Sequence, residues 1–221
     1  MGRQDIEELK RLLYFYQKLG FSHLPIKKEA LRNSKMDEKT LDSLREKIGD
    51  CKRCKLYKNR HNVVFGEGSI NAELMLIGEA PGREEDLKGR PFVGSAGALL
   101  DRLITKMGFK REELYITNIV KCRPPHNRDP ESDEIEACNP FLMEQIEIIE
   151  PRVIMTLGRI AAHTLLGVNT SITELRGKVF DFKGIKLVPT FHPAYLIRNP
   201  KAKWLTWSDA QLVLKLLDKK L

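Results

Sequence analysis

No apolar run in this chain of 221 residues is long enough to cross a bilayer, so a helical membrane span is not expected. The opening stretch MGRQDIEELKR carries charge where a secretory signal would carry an apolar core, and the expected compartment is the cytoplasm. Cysteine is limited to four. In a reducing compartment so small a set points to metal or redox chemistry before structural disulfides. Neither an internal repeat nor a low-complexity tract is visible, which removes solenoids and disordered linkers from consideration. Glutamine is scarce beside many lysines and glutamates, a balance compatible with a thermophile. What remains is 42% apolar and 31% charged, the composition of a globular domain with a full core.

The net charge of +8 is unevenly placed. Residues 1–49 carry 11 basic and 8 acidic side chains, residues 50–175 carry 17 and 19, and residues 176–221 carry 10 and 3. Nearly all of the excess lies in the last segment. A basic tract on an otherwise balanced protein is the footprint of a phosphate-backbone partner, although a solvated lysine-rich face reads alike.

Residues 5–19 have the spacing of an amphipathic helix ended by Gly20, and a second helix is expected from about Asp37 to Ile48 with Leu41, Leu44 and Ile48 inward. The two form an expected helical extension over residues 1–49, ahead of a main domain over residues 50–221. Apolar runs at Leu74–Ile77, Leu114–Val120, Arg152–Leu157, Val179–Phe182 and Ile185–Pro189 read as strands. Ser95–Met107, about Glu131 to Glu150, Ile160–Leu166 and a stretch from about Ser208 with Leu212, Leu216 and Leu217 inward read as helices. This alternation predicts a parallel, helix-covered α/β sheet.

In such a sheet ligands sit in the crevice outside the carboxyl ends of the strands. The strand Leu74–Ile77 stops at Gly78 and gives way to a polar loop with Glu79, Pro81, Gly82 and the acidic group Glu84, Glu85 and Asp86, of which Glu84 and Asp86 read as solvated surface. Phe92 follows between Pro91 and Val93. Asn118 falls near the end of a second strand and His192 just past another, so residues far apart in sequence are expected at one sheet edge. The cysteines follow C-x2-C-x67-C-x15-C, which is neither a zinc ribbon nor a ferredoxin run. Four thiolates suit a tetrahedral sulfur site for zinc or for an iron–sulfur cluster, and the spacing does not choose between them.

The stretches GEAPGREED (78–86), GRPFVG (89–94), TNIVKCRPPHNRDP (117–130) and FHPAYLIRNP (191–200), with four cysteines at these intervals, resemble the family 4 uracil-DNA glycosylases, the iron–sulfur members of their superfamily. The resemblance covers roughly residues 50 to 221. It implies a three-layer αβα fold around a central, mainly parallel four-stranded sheet. It also implies a monofunctional enzyme of base excision repair that flips uracil out of DNA and hydrolyses its N-glycosidic bond, leaving an abasic site. The implied partner is uracil-containing DNA, single- or double-stranded, met by a nucleoid-associated monomer with no membrane contact.

By the same resemblance Glu79, Ala80, Pro81, Phe92, Asn118 and His192 bind the uracil. Phe92 offers a flat face for stacking. The Asn118 amide offers one acceptor and one donor, which fit N3–H and O4 of uracil and mismatch cytosine. His192 faces O2, where negative charge develops as the bond breaks. Glu79 and Glu85 match glutamates of the family's active-site loop, one or the other of which positions or polarises the water, and that loop differs from the GQDPYH loop of the family 1 enzymes and its aspartate. Tyr195, Leu196 and Arg198 meet the DNA, an apolar side chain there filling the gap left by the flipped base, while Arg198, Lys201 and Lys203 hold phosphates. Cys51, Cys54, Cys122 and Cys138 ligate a 4Fe–4S cluster of structural role, with zinc the less favoured occupant. His126 stands near a histidine that some covalent uracil-capturing members use, but their basic insertion is missing, so turnover is expected. A non-catalytic DNA-binding module with a metal site and a hydrolase of free nucleotides share parts of this pattern.

Overall fold

Thr40 stands at the start of the first described helix. Its Oγ1 accepts from the Ser43 backbone N–H at 3.0 Å while the Ser43 hydroxyl accepts from Thr40 N–H at 3.1 Å, a reciprocal cap that starts helix α1, Leu41–Ile48. The computed structural model describes residues 40–219, so the helix expected over residues 5–19 and the first residues of the next lie outside the described part. Leu44 and Ile48 of α1 are buried in one core with Phe141 and Ile149. The expected extension over residues 1–49 therefore contains a helix that shares the main core, and the compact unit takes in this helix rather than beginning at residue 50.

The strands are β1 (Glu67–Gly68), β2 (Leu74–Gly78), β3 (Tyr115–Asn118), β4 (Val153–Leu157), β5 (Phe180–Phe182) and β6 (Ile185–Thr190). They lie in the order β1-β3-β2-β4-β6-β5. The inner four pair in parallel, as the expected four-stranded sheet requires, and β1 and β5 add antiparallel edges that make six among the described residues. The β5–β6 edge is a hairpin turned by Lys183 and Gly184, both with positive φ (52° and 86°), the conformation a two-residue turn needs to match strand twist.

The remaining helices are α2 (Arg83–Lys88), α3 (Ser95–Lys106), α4 (Ser132–Ile149), α5 (Arg159–Leu166), α6 (Ile172–Leu175), α7 (Pro193–Arg198) and α8 (Lys203–Leu216). The pleat divides the core in two. Met75, Ile77, Tyr115, Ile154 and Leu187 point to the layer of α1, α4 and α5. Leu74, Leu76, Ile116, Val153, Met155 and Val188 point to α3 and α8. β2 and β4 are buried on both faces, which is why they read as apolar runs without polar alternation, Thr156 being the one hydroxyl among them. α8 begins five residues ahead of the expected Ser208. Its first turn exposes Trp204 and its inward face opens with polar Thr206 and Asp209, so the apolar period starts late, and Val213 and Leu214 are buried more deeply than Leu212 and Leu216. No helix among the described residues is long and apolar enough to cross a membrane.

Candidate active site

Parallel register brings the strand ends together: Gly78 sits opposite Asn118, and Leu157 opposite Thr190. The loops leaving these ends enclose a crevice of about 500 Å³ lined by Glu79, Ala80, Pro81, Phe92, Asn118 and His192, with Glu85, Tyr195 and Arg198 also on its walls. The expected site residues outside the cysteine set therefore meet in one place, with Leu196, Lys201 and Lys203 the exceptions.

Phe92 closes the crevice in a left-handed backbone conformation, φ 50°, which costs a residue with a side chain on the order of 1–3 kcal/mol. Three anchors hold it. Glu85 Oε1 accepts from Val93 N–H at 2.8 Å and Gly94 N–H at 2.9 Å, Arg111 Nη2 donates to the Pro91 carbonyl at 2.5 Å, and α3 packs so closely that a Cβ on Gly97 would collide with the Phe92 carbonyl. The other oxygen of Glu85 accepts from Gly82 N–H at 3.1 Å and caps α2. Both oxygens of Glu85 thus accept from backbone N–H groups that hold the Phe92 loop and the start of α2. Asp86 departs from expectation. It is wholly buried and accepts from His61 N–H at 2.9 Å and from the His61 ring at 2.7 Å, tying α2 to the preceding loop.

Gly78 lets Phe92 and Asn118 approach: a Cβ there would stand 2.5 Å from Phe92 Cζ and against Asn118 Oδ1. Asn118 is 1% exposed, and its Oδ1 has no hydrogen-bond partner. A buried acceptor left unpaired costs roughly 1–3 kcal/mol, so this atom marks where a ligand must supply a donor. The Asn118 carbonyl accepts from Lys121 Nζ at 2.7 Å, and that buried amine also donates to Thr117 Oγ1 at 2.6 Å and Gln145 Oε1 at 2.7 Å. Lys121 and Gln145 fix the strand end from behind. Sequence reading missed them, because neither a lysine in a proline-rich loop nor a glutamine within a helix carries a signal of burial.

His192 caps α7. Its Nδ1 accepts from Ala194 N–H at 3.1 Å, which leaves the ring proton on Nε2. Burial, and after it the Arg198 charge, pushes the ring down to about 4, against the opposite pull of Glu85. The ring is therefore neutral near pH 7 and offers one N–H donor, with its centroid 5.8 Å from that of Phe92. Behind it, Thr190 Oγ1 donates to Asp209 Oδ2 at 2.6 Å and Arg176 pairs with the same carboxylate.

Glu79 follows β2 directly and is half-buried, and among the described residues no hydrogen bond or ion pair holds its carboxylate. Burial, and next to it the Asp129 charge, pushes it up to about 7, with Arg159 pulling the other way. Leu196 does not reach the crevice. At 4% exposure it faces the core side of α7, while Tyr195 and Ile197 (45% exposed) point outward. His126 is exposed and does not line the crevice.

The four cysteines converge at a second place, lining one small cavity with Arg53, Arg60 and Lys121. Lys121 N–H lies 3.3 Å from Cys138 Sγ and Arg60 Nη1 lies 3.4 Å from Cys122 Sγ, donors that suit negatively charged sulfur. Among the described residues no three His, Cys, Asp or Glu side chains close on a single metal ion.

The six strands and the residues that line the crevice all fall within residues 65–211, the part of the chain that matches the model of the Uracil DNA glycosylase superfamily. The chain is 46% identical to a type-4 uracil-DNA glycosylase of Sulfurisphaera tokodaii over 80% of this chain and 84% of that one. It is 47% identical to one of Saccharolobus solfataricus over 81% and 88%, and 49% identical to one of Thermotoga maritima over 73% and 85%. The chain belongs to the type-4 uracil-DNA glycosylases.

Proposed function

We propose that this protein removes uracil from DNA by hydrolysing its N-glycosidic bond, the first step of base excision repair. The observation that carries the reading is the unpartnered Oδ1 of Asn118, set in a crevice with the Phe92 ring and the neutral His192. An extruded uracil stacks on Phe92, gives its N3–H to Asn118 Oδ1 and takes the amide N–H at O4. As the N1–C1′ bond breaks its electrons stay on the base, and the His192 Nε2–H at O2 stabilises that charge. Water adds to C1′ and passes its proton to Glu79, the carboxylate that no backbone donor occupies. Ala80 and Pro81 complete the wall beside it. No lysine lines the crevice among the described residues, which supports a monofunctional enzyme with water, not an amine, as nucleophile. Ile197, exposed on α7 where Leu196 is buried, is the apolar side chain that fills the vacated stack, and Arg198, Lys201 and Lys203 hold phosphates.

Hot alkali after incubation with a single-uracil oligonucleotide is the test. Cleavage at the uracil, with matched cytosine and thymine strands intact, is expected. Strands intact throughout would remove the reading. Release of base from mononucleotides without salt-sensitive DNA binding would favour a nucleotide hydrolase.

Glu79 must be ionised to take the proton, so kcat/KM is expected to fall as pH drops through about 7. Arg159→Gln removes the charge that holds this carboxyl down and should move the acid limb to higher pH; an unmoved limb would assign it to another group.

The cavity shared by Cys51, Cys54, Cys122 and Cys138, with Lys121 N–H and Arg60 as donors toward its sulfurs, supports a 4Fe–4S cluster held by these four residues. When bound, the cluster supplies a structural cross-link, joining the segment after α1 to the loop after β3 and to α4. Brown protein with about four irons per chain is expected, and Cys122→Ala should lower the melting temperature by about 10 °C or more. Colourless protein with one zinc would overturn the assignment.

A further inference from the structure

Behind α7 lies a second hollow, of about 170 Å³, that uracil chemistry does not use. Its walls are apolar: Leu99 and Leu103 of α3, Leu196 of α7 and Trp207 of α8. Two features set it apart from a packing gap. Thr206, 3% exposed, lines it, and the buried Oγ1 has no hydrogen-bond partner. Arg102, Lys106 and Lys203 line its opening, all exposed and none in an ion pair with a described residue, and Lys106 Nζ stands 4.0 Å over the Trp207 ring. An apolar floor with one orphan hydroxyl and a cationic rim suits a flat ring that has a polar edge and an attached anion. At ~30 Å³ per water the space equals about five or six waters, enough for one such ring.

Position selects the source of that ring. α7 is a wall common to both spaces: Ala194, Tyr195 and Arg198 face the crevice, Pro193 and Leu196 the hollow. Along the chain, Arg198, Lys201 and Lys203 run as exposed cations from residues of one opening to residues of the other. A helix is about 10 Å across, roughly three nucleotides at ~3.4 Å each. Resting on the uracil-excision reading above, we propose that the hollow is a second base-binding subsite. It takes one undamaged base of the same DNA strand, about three nucleotides from the uracil, with a neighbouring phosphate on Arg102, Lys106 and Lys203.

The test steps a tetrahydrofuran abasic residue through every position flanking the uracil in a single-stranded oligonucleotide and reads Kd by anisotropy. One position is expected to weaken binding by about tenfold, the loss of one stacked base. Leu99→Trp, which fills the hollow, and Thr206→Val, which removes its hydroxyl, should each flatten the scan while kcat at saturating DNA holds. A flat scan with the unsubstituted protein, or a sensitive position that survives in every folded variant, would overturn the subsite. Excision of the fully based control is measured alongside, so failure of the uracil reading is seen separately from failure of the subsite.

Discussion

His192→Ala is expected to lower kcat on uracil-containing DNA by about 10²–10³-fold, the effect of deleting one donor aimed at developing charge. The size follows from the state of the ring. Nδ1 is occupied by the Ala194 N–H, so Nε2 carries the proton, and burial keeps the ring neutral until about pH 4. The donor is therefore in place across the working range without a protonation step, and the acid limb is expected to follow Glu79. The fold should lose far less. His192 caps α7, and losing a cap costs about 1 kcal/mol, against about 3–4 kcal/mol for the rate effect. Steady-state kinetics beside thermal melts separates the two, and equal losses in both would make the residue structural.

Asn118→Ala should lower turnover by about a hundredfold or more while the melting temperature holds or rises. The asymmetry arises because Asn118 Oδ1 is unpaired in the free protein. Removing it relieves a desolvated acceptor worth roughly 1–3 kcal/mol, yet leaves uracil N3–H and O4 without partners in a closed crevice. The same amide opposes cytosine, whose donor and acceptor are reversed. The substitution should therefore narrow the preference for uracil over cytosine as activity falls. A melting temperature that drops in proportion to turnover would contradict this assignment.

Much of the site was legible from sequence because Glu79, Asn118 and His192 each stand at or just past the end of a strand whose burial is written in its composition. β2 is buried along its whole length and apolar up to Gly78, so the positions of Gly78 and the residues beyond it follow. β1, only two residues long, gives no such pattern. The two loop glutamates look alike as letters, and only geometry shows that backbone N–H groups claim Glu85 and leave Glu79 free. The Leu196–Ile197 pair shows the cost of an unread helix. Neighbours on α7 point about 100° apart, so one apolar side chain turns inward and the next outward. Cys51 and Cys54 stand far along the chain from Cys122 and Cys138, and their meeting depends on α1 and α4 packing against each other, which no local spacing encodes.

The most direct measurement is a crystal structure of the protein with free uracil. The expected density places the ring face on Phe92, N3–H at hydrogen-bond distance from Asn118 Oδ1 and O2 on His192 Nε2. Uracil bound elsewhere, or bound there with Asn118 Oδ1 still unpaired, would contradict the assignment of this crevice to an extruded base.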